Sequence, residues 1–572
     1  MDLERLLTDR LTPAFAAVAG EPVAPAVRRS PRADFQSDAA LALARRLCRP
    51  PREIARAVLD RADLDDVCAV AEISGPGFVN LTLADGALAG MVAALAGDER
   101  LGVPVTGDPE TVVVDYSGPN VAKEMHVGHL RSTVIGDAAV RVLDWLGHRV
   151  VRVNHLGDWG TPFGMLIAHL ADLGEAEAAQ ELSIGDLDGF YRAARSKFDA
   201  DPAFRERARQ RVVALQAGDP ETRRLWRLLV GQSQRYFLTV YELLDVTLTG
   251  ADFRGESAYN DRLGAVVTDL DRLGLLTDSA GAACVFPPGF VGRDGVGLPL
   301  IVRKGDGGYG YPATDLAALR SRVDELGATR LLYVVGLPQR QHFAMVFAVA
   351  GQAGWLRPPV RAEHLGFGSV LGPDGRMLRS RAGGSVKLVD LLTEAVTRAT
   401  ALARTRNPDL DEAEAAEIGR AVGIGAVKYA DLATDRTRDY VLDWERMLAL
   451  DGNTAPYLQY AYTRTRSVLR RAGTVPGAAT GVVLGTPAER ALAFELLGFA
   501  GVVHEVARTA QFHHLAGYLH RLATRFSTFY ERCPVLRADG ELRASRLLLT
   551  DLTGRTLRQG LDLLGIRTLD RM

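Results

Sequence analysis

His126 and His129, separated by Val127 and Gly128, are the residues of this chain whose type and spacing first suggest chemistry. An imidazole can donate a ring N–H to a phosphate oxygen as negative charge grows there, and one such donor is worth about 3–4 kcal/mol in comparable oxyanion sites. Gly128 has no side chain, so a flat base can lie close to the backbone. The pair sits between a β-branched run, TVVVDYS (111–117), and a segment with apolar residues at helical spacing, LRSTVIGDAAVRVLDWLG (130–147). A helix starting there presents free backbone N–H groups and a positive dipole end, both suited to phosphate. Five of the eleven histidines, at 126, 129, 148, 155 and 169, fall in this neighbourhood. In an open α/β sheet, ligands bind at the carboxyl ends of the strands, in the crevice beside such helix starts.

The elements that must position these side chains can be read on either side. HRVVRVNHLGDWG (148–160) reads as a second strand and a Gly-rich turn, so the unit is strand–loop–helix–strand and implies a parallel α/β sheet. Residues 168–250 are helical in pattern and read as an insertion between the halves of that domain. Strand-like segments return at LPLIVRK (298–304) and RLLYVVG (330–336), each followed by a helical pattern. From about 390 the chain is almost entirely helical, broken by a Gly/Pro/Thr-rich stretch at 472–487. At the other end, residues 1–105 read as a small α+β unit, with a helix in DAALALARRL, a strand in GPGFVNLTL (75–83) and a linker around GVPVTGDPE (102–110).

Composition bounds the rest. The 572 residues, 47% of them hydrophobic, exclude a disordered chain and suit roughly three to four domains. No run approaches the ~18 apolar residues of a membrane helix, and the start MDLERLLTDR lacks the basic, then apolar, order of a signal peptide. No membrane association is expected, and the expected location is cytoplasmic. Cys48, Cys68, Cys284 and Cys533 form no CxxC pair, so neither a zinc cluster nor a disulfide scaffold is expected. Only five of the 68 basic residues are lysine: Lys123, Lys197, Lys304, Lys387 and Lys428. Residues 453–572 hold 16 arginines against nine acidic residues, although the whole chain carries −2. A basic end on an acidic body suits a polyanion.

The blocks DYSGPNVAKEMHVGHLRSTVIGDA (115–138) and NHLGDWGTPFGMLI (154–167) resemble the signature of arginyl-tRNA synthetases, which are class I aminoacyl-tRNA synthetases with a HIGH motif. GESAYND (255–261), YGYPATDLAA (309–318), YVVGLPQRQHF (333–343), LGFGSVLGPDGRMLRSRAGGSVKLVDLL (365–392) and LLGIRTLDRM (563–572) follow in family order, so the resemblance covers nearly the whole chain. It implies a multidomain fold: an N-terminal domain at 1–105 that contacts tRNA, a Rossmann-like catalytic domain at 106–390 with its helical insertion, and an all-α anticodon-binding domain at 391–572. It also implies the activity. Arginine and ATP, with Mg2+, give arginyl-adenylate and pyrophosphate. The arginyl group then passes to the 2′-hydroxyl of the terminal adenosine of the tRNA specific for arginine. In many such enzymes the first step needs bound tRNA, and monomers are usual.

The resemblance assigns residues as well. His126, Gly128 and His129, with Gly157, Asp158 and Gly336, fall at ATP-binding positions. Asn120, Glu256, Tyr311, Asp315 and Gln339 fall at arginine-binding positions. A planar guanidinium is best read by fixed carboxylates, and a site of such groups rejects analogues that leave them unpaired by ~10⁴-fold or more. The second class I signature, KMSKS, corresponds here to GRMLRSR (375–381), which has no lysine. Some arginyl enzymes with a degenerate loop carry a lysine just before HIGH, and Lys123 stands there. Arg379 and Arg381 are the basic residues left in the loop to share its work. Pro162, Pro312 and Gly336-Leu337-Pro338 depart from the family pattern. In the C-terminal part, Tyr457, Tyr460 and Tyr462 lie beside Arg464, Arg466, Arg470 and Arg471. Aromatic faces stack unpaired bases and arginines bind phosphates, so Tyr457, Tyr460, Arg464 and Arg466 are the expected tRNA contacts. Two other readings stand beside this one: an enzyme handing activated arginine to a small molecule or peptide, and a catalytically silent paralogue.

Overall fold

A computed structural model describes residues 3–174, 187–378, 385–473, 477 and 481–572. The chain divides into two compact units. One comprises 106–448 with 564–566, and the other comprises 1–105, 449–563 and 567–572.

The first unit is built on five parallel strands: β1 (Thr111–Asp115), β2 (Arg149–Leu156), β3 (Phe253–Gly255), β4 (Arg330–Tyr333) and β5 (Arg361–His364). Their order is β5-β4-β1-β2-β3, with every pairing parallel. β1 is central, and Val112, Val113 and Val114 are fully buried. A strand covered on both faces reads as a continuous apolar run, which is what TVVV shows. The chain leaves β1 for β2 on one side, while β4 pairs on the other. The crevice beyond β1 and β4 is therefore a topological switch point, the usual ligand site of such sheets.

Among the described residues of this unit the longer helices are α1 (Val127–Trp145), α2 (Pro162–Leu173), α3 (Leu187–Ala200), α4 (Pro202–Ala217), α5 (Pro220–Leu244), α6 (Asn260–Arg272), α7 (Tyr311–Asp324), α8 (Arg340–Gln352), α9 (Leu388–Arg406) and α10 (Glu412–Leu432). The expected helical insertion is α2 to α5. The strand expected near 298–304 forms, as Leu300–Arg303, but not in the parallel sheet. It pairs antiparallel with Ala282–Val285, which pairs antiparallel with Thr277–Ser279. Leu300 and Val302 are buried while Ile301 is exposed. That alternation belongs to a sheet with one wet face.

Residues 391–448, which the sequence reading groups with the C-terminal helices, pack within the α/β unit. Arg131 on α1 pairs with Asp431 on α10 at 3.1 Å, both fully buried, and Arg131 also donates to the Arg438 carbonyl at 2.8 Å. Lys428 donates to the carbonyls of Asp245 and Gly565. Helical periodicity shows that a face is buried but not against what.

In the second unit, a four-stranded antiparallel sheet runs in the order 27–29, 35–37, 78–83, 68–74. Within the same unit Arg490 pairs with Asp34 and Asp85, each at 2.7 Å, and Arg29 pairs with Glu495 at 3.0 Å. Among the described residues no helix is long and apolar enough to cross a membrane.

Candidate active site

His126 is the N-cap of α1. Its Nδ1 accepts from the Gly128 N–H at 3.0 Å, and the Nδ1 of His129 accepts from the His126 N–H at 3.1 Å. The motif is thus a capping box made of imidazoles, satisfying two of the backbone donors that a helix start leaves open. An Nδ1 that accepts carries no proton, so each neutral ring holds its proton on Nε2. Both rings are therefore preset as donors. Burial pushes His129 down to about 3, reinforced by the neighbouring His126, and burial also lowers His126. The rings, 4.1 Å apart between centroids, stay neutral donors at neutral pH.

Gly128 has a further reason to be glycine. A Cβ there would lie 2.7 Å from Cε1 and 2.8 Å from Nδ1 of His126. Gly128→Ala is expected to rotate the His126 ring and break its cap. We expect a loss of about 0.5–2 kcal/mol in stability, the usual worth of a cap, together with slowed ATP use, read by thermal melts and pyrophosphate exchange.

The loop before α1 is held under strain. Ser117 and Ala122 sit at φ +73° and +59°, left-handed values that side chains disfavour by roughly 1–3 kcal/mol each. A buried polar network offsets that strain. Ser117 Oγ meets Tyr241 OH at 2.7 Å, buried Asn154 donates to the same hydroxyl at 2.7 Å, and Asn154 accepts from the Gly118 N–H at 3.0 Å. The Ala122 N–H donates to Ser233 Oγ at 2.9 Å.

The end of β2 forms the next wall. Asn120 lies over Gly157, where a Cβ would stand 2.3 Å from its Oδ1. Asp158, expected at an ATP position, is buried and accepts from the Ser257 N–H at 2.9 Å and Oγ–H at 2.7 Å. Its carboxylate therefore holds the turn (Glu256–Tyr259) that presents Glu256. Gly255 must be glycine for this approach, because a Cβ there would lie 1.9 Å from Asp158 Oδ2.

Glu256 faces an acidic surrounding. Burial, then Asp158 and Asp315, push its carboxyl up to about 8. Among the described residues no lysine or arginine is paired with it. Asp315, on the first turns of α7, has Oδ2 2.6 Å from His342 Nε2 on α8. Seven residues further along α7, on the same face, buried Arg322 pairs with Asp115 at the end of β1 at 2.7 Å. Its guanidinium stacks 5.0 Å from the Tyr333 ring at the end of β4. That pair ties α7, and Asp315 with it, to the switch point. Tyr311 is 74% exposed, and Gln339 is exposed in the short turn after β4 that starts beside Gly336.

Pro162 is the first residue of α2, and Pro312 and Pro338 are the second residues of their helices. Proline fits the first turn, where its missing N–H would have no helical partner. The departures from the family pattern are thus compatible with intact helix starts.

Lys123 places its Nζ 4.6 Å from the centroid of the Tyr191 ring on α3. Arg379 and Arg381 lie outside the described residues. Among the described residues no group of three or more His, Cys, Asp or Glu could hold a metal ion.

In the other unit, Tyr460 is exposed, and the Arg464 guanidinium lies 4.8 Å from its ring and 5.2 Å from that of Tyr530. Tyr457 is half-buried with its hydroxyl 3.4 Å from Ser527. Tyr462 is buried and donates to Asp570, and Arg466 lies 3.7 Å from the same carboxylate. Tyr460 and Arg464 thus face outward. Tyr530 joins them from 70 residues along the chain, too far for local spacing to signal.

Comparison with known proteins places this geometry in context. Residues 91–444 match the family model of the class I (R) tRNA synthetase catalytic domain, 458–572 that of the DALR anticodon binding domain, and 1–83 that of the arginyl tRNA synthetase N-terminal domain. The arginine–tRNA ligase of Thermobifida fusca is 54% identical over 580 residues, covering 100% of both chains. That of Frankia casuarinae is 52% identical over 556 residues, 96% of this chain and 95% of its own. Among solved structures, the arginyl-tRNA synthetases of Plasmodium falciparum and Thermus thermophilus superpose with TM-scores of 0.86 and 0.84. Each is 27% identical and covered over 100% of both chains.

Proposed function

The chain belongs to the arginyl-tRNA synthetase family, and from that premise we propose how this site carries out the reaction. The protein is an arginine–tRNA ligase, joining L-arginine to its tRNA at the expense of ATP. The observation that carries the assignment of roles is Glu256: a carboxyl pushed up to about 8 by burial, Asp158 and Asp315, with no lysine or arginine paired to it among the described residues.

Glu256 and Asp315 take the guanidinium, whose fixed fork suits two carboxylates. Asn120, Tyr311 and Gln339 complete the arginine subsite, and Asp158 acts through Ser257 to aim Glu256. Arginine's carboxylate oxygen attacks the α-phosphate of ATP, and the bond to pyrophosphate breaks. The Nε2–H groups of His126 and His129 donate to the phosphate oxygens as charge develops. Lys123 leaves the Tyr191 ring for the departing pyrophosphate, with Arg379 and Arg381 as further cations. Gly128 and Gly157 seat the His126 and Asn120 side chains close against the backbone at the nucleotide subsite, Gly336 is assigned to the same subsite, and ATP would carry Mg2+ as its counter-ion. The terminal adenosine's 2′-hydroxyl then attacks the arginyl carbonyl and AMP departs. Tyr460 and Arg464, with Tyr457 and Arg466 behind them, are assigned to the unpaired bases of the tRNA. We place the enzyme in the cytoplasm as a monomer.

The test is arginine-dependent ATP–pyrophosphate exchange with and without tRNA, followed by charging of arginine tRNA. Exchange that depends on tRNA, with charging, is the expected result. Full exchange without tRNA and no charging would instead mean that arginine is handed to another acceptor. No exchange under any condition would mean a silent paralogue.

A further inference from the structure

Lys387 stands just beyond the lysine-free loop, in a chain with only five lysines, and it is fastened to the HVGH segment twice. Its backbone bridges antiparallel to His126. The Val127 N–H donates to the Val386 carbonyl at 3.0 Å, and the Leu388 N–H donates to the Met125 carbonyl at 2.8 Å. Its side chain reaches Glu124, with Nζ 2.7 Å from Oε2. The two partners differ in exposure. The Glu124 side chain is 3% exposed, whereas that of Lys387 is 38% exposed. Glu124 thus has little access to water as counter-charge, and it lies between Lys123 and His126 in a loop whose residue 122 is already at a left-handed φ. The other acids facing Lys387 are Asp188, which accepts from the Glu124 N–H at 3.1 Å, and Asp390 at the start of α9.

We propose that Lys387 is a positioning residue of the ATP subsite, neutralising buried Glu124 and thereby holding the loop that aims His126 and Lys123. This rests on the synthetase reading of the site. Removing the cation alone takes a positive charge from beside a buried carboxylate, which strongly disfavours the native arrangement. The loop then shifts to hydrate or protonate Glu124, and the reacting groups move with it. Removing both charges leaves nothing to hydrate.

The test is a cycle read by arginine-dependent ATP–pyrophosphate exchange, with melts to confirm folding. Lys387→Met is expected to lower kcat about 100-fold, the usual penalty of a displacement near 1 Å at reacting groups, with KM for arginine unchanged. Glu124→Gln is expected to be milder, because Lys387 is open enough to be hydrated. The double variant Glu124→Gln/Lys387→Met is expected to recover most of the rate lost by Lys387→Met. A double variant as slow as Lys387→Met would overturn the proposal, since the ammonium would then act on the phosphates itself. So would a fully active Lys387→Met enzyme, or one whose loss lies in KM for arginine. If Lys387→Met does not fold, the double variant decides alone: folded and active supports the proposal, folded and inactive overturns it. A wild-type protein without arginine-dependent exchange would instead remove the synthetase reading.

Discussion

Glu256→Gln is expected to raise the KM for arginine in pyrophosphate exchange by about 10²–10³-fold, the size expected when one partner of a desolvated charge pair is removed. The carboxyl is already costly in the empty enzyme. Burial and the nearby Asp158 and Asp315 hold it up at about 8, so at pH 7 most of it is protonated. A guanidinium needs the carboxylate, so arginine binding must expel that proton. Arginine affinity should therefore rise about tenfold per pH unit up to about pH 8 and level off above it. In the Glu256→Gln protein this dependence should vanish. The same linkage gives a stability test. A carboxyl raised above its unfolded value of 4.5 contributes stability that is fully present below 4.5 and lost as pH rises through about 8. Saturating arginine should cancel that loss, so melting temperatures with and without arginine should diverge as pH increases. A wild-type KM that is flat between about pH 6 and 8 would remove Glu256 from the guanidinium subsite.

His126→Asn and His129→Asn are each expected to lower the rate of adenylate formation by about 10²–10³-fold, the loss of one oriented donor. Asparagine separates catalysis from folding here. It caps helices at least as well as other residues, and its side-chain oxygen can take over the acceptor role that Nδ1 fills toward the Gly128 or His126 N–H. Melting temperature should be retained while the rate collapses. His129→Ala should lose both, with about 0.5–2 kcal/mol of stability going with the cap. Because burial holds His129 at about 3, its titration should not appear in the rate profile at neutral pH. An asparagine variant that forms adenylate at the wild-type rate would leave the imidazoles as caps only.

What could be read in the chain alone was local. The β-branched run at 111–115 is the buried central strand, and the helix read at 130–147 forms, starting inside the HVGH motif at Val127 and ending at Trp145. The acids of GES and YPATD lie within electrostatic reach of one another, as the shift of Glu256 by Asp315 shows. The strand and the helix rest on period and turn chemistry, interactions among residues close in sequence, whereas the two acids, far apart in the chain, were grouped by the resemblance to the family.

Other features depended on partners far along the chain. Asp158 holds Ser257, 99 residues away, and so presents Glu256. Asp315 meets His342, and Arg322 reaches 207 residues back to Asp115. Arg131 joins Asp431 across 300 residues and draws helices after residue 390 into the α/β unit. Tyr530 comes beside Arg464, and Lys387 neutralises Glu124. The strand at 300–303 pairs outside the parallel sheet. The amino-acid sequence by itself determined the class of fold, the motif order and the chemical character of the site. Only the tertiary structure decided which carboxylate, among the described residues, stands without a basic partner and which is already committed to a neighbour. A buried charge takes its counter-charge from whatever packing brings within about 4 Å, and local periodicity carries no record of that choice.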